Sequence, residues 1–144
     1  MKTSNTKKVV PVSKHNTGMR GVFLVAAELS KRGYIVSPTS RSAFGADLLV
    51  TDKDCSKAWS VQVKTNARVF SFWLLNKHSK DIKSNSHIYV FVNLRKGGDD
   101  VEYFIVPNKV VSRKIYIQKS GQYSWYSISY EDAKPFKDKW MVFD

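Results

Sequence analysis

Residues 45–65, GADLLVTDKDCSKAWSVQVKT, decide the fold. Two runs within them, ADLLVT (46–51) and AWSVQVK (58–64), alternate apolar and polar side chains with the two-residue period of half-buried strands. The six residues between, DKDCSK, are polar and fit a hairpin loop. Symmetric closure sets Thr51 opposite Ala58, so that partner numbers sum to 109 and Asp47 faces Gln62. Their Cβ atoms would then lie about 4.5–5.5 Å apart. Leu48 and Val50 fall on one side with Trp59, Val61 and Val63, the expected core face. Asp47, Gln62 and Lys64 share the other.

Outward from this hairpin, residues 1–16 read as a flexible basic arm and 17–144 as a single domain. A helix is expected from Thr17, because Val22, Val25, Ala26 and Leu29 recur at i, i+3, i+4 and i+7. Asn16 or Thr17 can cap it, and Gly33 is a suitable stop. The run YIV (34–36) is a short strand halted by Pro38. Downstream, ARVFSFWLLN is apolar and aromatic, and KHSKDIKSNSH is polar and basic. The segments IYVFVNL (88–94) and VEYFIV (101–106) are buried strands around a turn at RKGGDD. A short helix at NKVVSRKI, a last strand at YSWYSIS and a closing helix at YEDAKPFKDKW, limited by Pro135, complete the chain. The expected class is α/β, one central mixed sheet of about five strands flanked by helices.

With 42% hydrophobic and 13% aromatic residues, the 144-residue chain can bury a core, which argues against disorder over most of its length. No apolar run approaches the ~20 residues of a membrane span, so no membrane partner is expected. The basic, polar start lacks the apolar stretch of a signal peptide. The single Cys55 cannot form an internal disulfide, which suits a reducing, cytoplasmic setting. The net charge of +12 is uneven: residues 1–98 carry 17 basic and 5 acidic side chains, whereas 99–144 carry seven of each. Such a field attracts a polyanion, and nucleic acid is the leading candidate partner.

An aspartate and a second oxygen donor side by side can hold Mg²⁺, with Mn²⁺ as a substitute. Lys64, two residues beyond Gln62 on the same face, can orient a water or neutralise charge on a phosphate. These are the parts of metal-assisted phosphodiester hydrolysis. Ser40 and Arg41, with Thr39, precede Asp47 and can hold a phosphate, while Lys31, Arg68, Lys77, Lys80 and Lys83 can track a nucleic-acid backbone. Phe70, Phe72 and Trp73 read as core or dimer contacts in preference to base-stacking platforms. His15, His78 and His87 have no ligand spacing among themselves or with Cys55, so zinc is not expected.

The runs AAELSKRGYIVSPTS, GADLLV and VQVKT together resemble the PD-(D/E)xK, or restriction-endonuclease-like, nucleases, and most of all compact members such as Holliday-junction resolvases and Mrr-like restriction nucleases. The resemblance covers about residues 18–66. It implies a Mg²⁺-dependent endonuclease, acting on DNA and homodimeric, with Asp47 and Gln62 at the metal and Lys64 at the nucleophile. It also implies that Glu28, on the first helix, feeds the metal site. Gln62 stands where most members carry glutamate, and an amide oxygen brings no charge. The alternative is therefore a non-catalytic nucleic-acid-binding or immunity-type protein on a degenerate nuclease fold. Each residue has an ordinary reading too: Gln62 and Lys64 on a solvent face, Asp47 in a turn, and Glu28 paired along its helix with Lys31 or Arg32.

Overall fold

The computed structural model describes residues 13–40, 45–94 and 100–144. Most of the basic arm and of the RKGGDD turn, together with Arg41, lies outside these residues. Helix α1 (Lys14–Lys31) begins three residues earlier than the apolar stripe suggests, because Ser13 supplies the cap: its Oγ accepts from the Asn16 N–H at 3.2 Å. The helix closes as expected at Gly33, where φ is +91° and the N–H donates to Ser30 O.

Strands β1 (Ile35–Pro38), β2 (Leu48–Thr51) and β3 (Ala58–Asn66) form an antiparallel meander. The β2–β3 register pairs Thr51 with Ala58 and Leu48 with Val61, so partner numbers do sum to 109. Strand β4 (Phe72–Leu75) leaves this sheet. Strand β5 (His87–Asn93) then pairs parallel to β3, and β6 (Glu102–Pro107) returns antiparallel to β5. The result is a mixed five-stranded sheet in the order β1-β2-β3-β5-β6. All seven residues of β5 are buried, as expected for a central strand covered on both faces.

The two faces bury different cores. Against one lie α1, through Val22, Val25 and Leu29, and a C-terminal 3-10 turn (Trp140–Phe143), over Val50, Val61, Val63 and Val90. Against the other, Tyr89, Phe91, Phe104 and Val106 meet Trp73, Leu75, Ile128 and helix α2 (Asn108–Lys114). Trp73 and Ile128 belong to a second sheet, in which β8 (Tyr123–Ser129) lies between β4 and β7 (Tyr116–Ser120). The β7–β8 hairpin turns on Gly121 (φ +60°), the first central residue of a two-residue loop.

This second sheet corrects the sequence reading, which contained neither β4 nor β7. The expected closing helix is also broken up. Helix α3 spans only Tyr130–Ala133, capped by Ser129, and a 3-10 turn around Pro135 follows. Among the described residues, no helix is long and apolar enough to cross a membrane.

Candidate active site

Asp47 stands where the β2 backbone gives out. Its N–H donates to Val61 O at 2.8 Å, and its carbonyl accepts from the Thr39 N–H at 2.9 Å, so the main chain is held on both sides. Its carboxylate then extends the ladder: Oδ2 accepts from the Val63 N–H at 2.8 Å and from Gln62 Nε2 at 3.2 Å. Only the amide nitrogen of Gln62 can donate to a carboxylate, so this bond turns the amide oxygen away. Asp47 Oδ1 and Gln62 Oε1 are left without a hydrogen bond among the described residues, two neighbouring hard oxygens on half-buried side chains.

Lys64 lies one pleat further along β3, about 6.6–6.8 Å up the strand on the same face. It is half-buried and makes no hydrogen bond or ion pair among the described residues. Burial pushes its ammonium below the ordinary lysine range, and the charge of Asp47 opposes that shift. A lysine desolvated beside a carboxylate it does not touch is a candidate for a functional role. The second layer packs on β5 and β6 and leaves this part of the sheet open, so Leu49 on the same face is 53% exposed.

Glu28 is not brought to these three residues. Its carboxylate is held by Arg32, which also donates to Glu28 O at 2.9 Å and lies over the Trp140 ring at 4.4 Å. Its charge is felt by Tyr103, in the core that α1 covers, whereas Asp47, Gln62 and Lys64 point from the opposite face of the sheet. The sequence expectation has Glu28 feeding the same site; in the structure its carboxylate pairs with Arg32, and α1 packs on the side of β3 opposite the polar face.

Of the phosphate-binding candidates, Arg41 lies outside the described residues. Ser40 is exposed beside Thr39, whose Oγ1 donates to Ala46 O at 2.6 Å and fixes this loop next to Asp47. Lys31 is exposed at the far end of α1, on the helical side. The Arg68 guanidinium lies over the Phe70 ring (5.0 Å) and the Lys80 ammonium over Tyr126 (5.9 Å), and Lys77 opens the same 3-10 turn as Lys80. Just beyond that turn, Ile82 approaches Gly45, two residues before Asp47, so the basic 77–83 segment borders the site.

A polar pair beneath the site was not anticipated. Ser60, one pleat before Gln62, shares a 2.7 Å hydrogen bond with His87 Nδ1. His87 is 3% exposed, its buried Nε2 has no hydrogen-bond partner among the described residues, and burial holds its pKa below the ordinary histidine value. The face-sharing of Ser60 and Gln62 is readable from alternation. That His87 joins them depends on the parallel β3–β5 pairing, for which the sequence carries no local signal.

A helix over one face of a mixed five-stranded sheet is the restriction-endonuclease-like arrangement, and the chain has that fold. The bacterial homing endonuclease I-Ssp6803I superposes with a TM-score of 0.60 at 13% identity, over 92% of this chain and 91% of that one. The Archaeoglobus fulgidus Holliday junction resolvase Hjc superposes with a TM-score of 0.50 at 11% identity, over 82% of this chain and 93% of that one. No protein-family model and no curated protein sequence matches the chain.

Proposed function

We propose that the protein is a metal-dependent endonuclease acting on DNA, with Asp47, Gln62 and Lys64 as its active site. The observation that carries this reading is the convergence of these three on one open face, with two oxygens and an ammonium that make no hydrogen bond or ion pair among the described residues. The nuclease identity of both structural neighbours supports it. Among the described residues no group of three or more His, Cys, Asp and Glu gathers, so a closed, all-protein metal cage is not the design. Mg²⁺ does not need one: it keeps several waters and is commonly held by one or two carboxylates plus a substrate phosphate. One charged and one neutral oxygen fit an ion held weakly until DNA arrives.

Mg²⁺, when bound, would neutralise phosphate charge and acidify a coordinated water. The protein's own contribution is positional. Asp47 is locked through its Val63 and Gln62 hydrogen bonds, and Gln62 is turned by Asp47 so that its oxygen faces outward. Lys64 presents a poorly hydrated cation to the scissile phosphate or the attacking water, where its field is weakly screened. The basic 77–83 segment and the Thr39–Ser40 loop hold flanking phosphates. A homodimer would place two such sites on two strands, and a molecular mass by sedimentation tests that.

The direct test is nicking of supercoiled plasmid in Mg²⁺ and Mn²⁺. Asp47→Ala and Lys64→Ala are each expected to lower the rate by about 100-fold or more, the scale of losing one electrostatic contact to the transition state. Cutting by either variant at the wild-type rate would refute the assignment. The pairing of Glu28 with Arg32 leaves Asp47 as the one carboxylate placed at the site among the described residues, and this favours a second reading, a nucleic-acid-binding protein without cleavage. That reading predicts salt-sensitive DNA binding and intact plasmid in both metals.

A further inference from the structure

The small sheet β4-β8-β7 uses only one of its faces for the core. Trp73, Leu75 and Ile128 are buried against β5 and β6. The outward face carries Phe72 (44% exposed), Leu74 (50%), Tyr116 (62%), Tyr123 (75%) and Trp125 (56%). Alternation and register fix their arrangement. On the middle strand Ser127 lies between Leu74 and Tyr116, Ser129 lies beside Phe72, and Trp125 lies beside Gln118. Small hydroxylic residues therefore form a floor, with aromatic and aliphatic walls rising from all three strands. The result is an open groove of about 750 Å³, with Lys114 at its margin.

This composition discriminates between occupants. The buried centres of protein–protein interfaces are depleted in serine and lysine and filled by large side chains, whereas here the centre is serine and glutamine. The segments that build the sheet and its flanks, residues 66–80 and 108–129, contain seven Lys or Arg and no Asp or Glu, and of these Lys114 lines the groove while Lys119 and Lys80 lie towards the inner face. The acid at the groove margin, Asp132, lies 3.8 Å from Lys114. Aromatic faces on a sheet, hydroxyls between them and the Lys114 ammonium at the margin match unpaired bases on a phosphate backbone. Base–aromatic stacking is indifferent to sequence, and the cations follow the chain.

We propose that the outer face of β4-β8-β7 binds single-stranded nucleic acid, with unpaired bases stacked on Trp125 and Tyr116 and phosphates held by Lys114 and its neighbouring cations. The inference rests on the nucleic-acid reading of the proposed function but not on cleavage, because the face shares no residue with the Asp47 site and needs no metal.

The test is run in EDTA, so that cutting plays no part. An oligothymidylate of about 16 nucleotides is titrated into the full chain, read by anisotropy of a dye on the DNA and by quenching of protein fluorescence. Trp125 is the most exposed of the four tryptophans, so binding is expected to quench emission, and Trp125→Ala is expected to weaken binding about tenfold or more. Trp125→Phe retains a stacking ring and is expected to stay within about threefold of wild type, with unchanged Tm in both variants. Equal affinity for wild type and Trp125→Ala overturns the inference. A fall from dimer to monomer in Trp125→Ala on sedimentation also overturns it, by assigning the face to a second copy. Plasmid nicking is measured separately. Cutting with an unaltered Trp125→Ala titration sinks only the base-binding face, whereas loss of oligonucleotide binding without any nicking sinks only the nuclease assignment.

Discussion

At the scale of single residues, Gln62 decides how the site handles charge. As an amide it can donate to Asp47 and so holds the carboxylate in place without a metal. Gln62→Glu would replace that hydrogen bond by two like charges in contact, so the variant is expected to melt earlier in EDTA and to gain more from Mg²⁺ than wild type. A ligand that binds only the native state stabilises by RT ln(1 + [L]/Kd), and a melting series in Mg²⁺ reads the difference. An unchanged Mg²⁺ response would remove Gln62 from the site. His87 gives a pH signature of its own. Its folded pKa is lowered by burial, so the unfolded chain takes up a proton first as pH falls. The stability tied to the neutral ring is therefore complete above about pH 6.5 and lost progressively below it. His87→Phe is expected to flatten the fall in denaturation midpoint between about pH 6.5 and 5, and an unchanged slope would show that the ring is not held neutral.

At the scale of elements, α1 contains two glycines with opposite prospects. A Cβ at Gly18 would meet nothing within 4 Å, whereas one at Gly21 would lie 1.8 Å from Thr65 Oγ1. Helix propensity favours alanine at both by roughly 0.5–1 kcal/mol. Gly18→Ala should therefore stabilise by about that amount, whereas Gly21→Ala should destabilise by more than about 1 kcal/mol, both read by urea denaturation. Helix and strand have to meet this closely because α1 rests on β3 one residue beyond Lys64. The same contact explains what sequence could and could not show. The β2–β3 register was legible because a loop of fixed length sets it, and with the register came the pairing of Asp47 with Gln62. The stripe of Val22, Val25 and Leu29 was legible because it is periodic. The place of Glu28 relative to Asp47 was not legible, because its side of α1 is relative to a sheet whose faces the helix sequence does not specify. Strand β4 is apolar on both faces, Phe72 and Leu74 out and Trp73 and Leu75 in, so it has no period to read. Strand β7 is exposed at all five positions and has no buried stripe.

For the whole molecule, the two layers divide the work. The helical side buries the aliphatic core and leaves the open polar face of β2 and β3 to the other side. With a net charge of +12, nucleic-acid affinity should fall steeply with salt. Neutralising some five phosphates gives a slope of about −4.5 in log K against log [salt], and a slope near zero would exclude the basic surface as the binding determinant. The parallel β3–β5 pairing has a further consequence, for the order in which the chain acquires its form. Residues 14–66 complete α1 and the three-stranded meander from local contacts, and local contacts form first. The Asp47–Gln62 bond lies wholly inside that unit. Lys64 is opposite Phe91 on β5, across a loop that closes only when the later half of the chain is present. On the ribosome, once residues up to Asn66 have emerged and the later half has not, the carboxylate and amide can already be held together, with the lysine still fully hydrated and one edge of β3 unpaired.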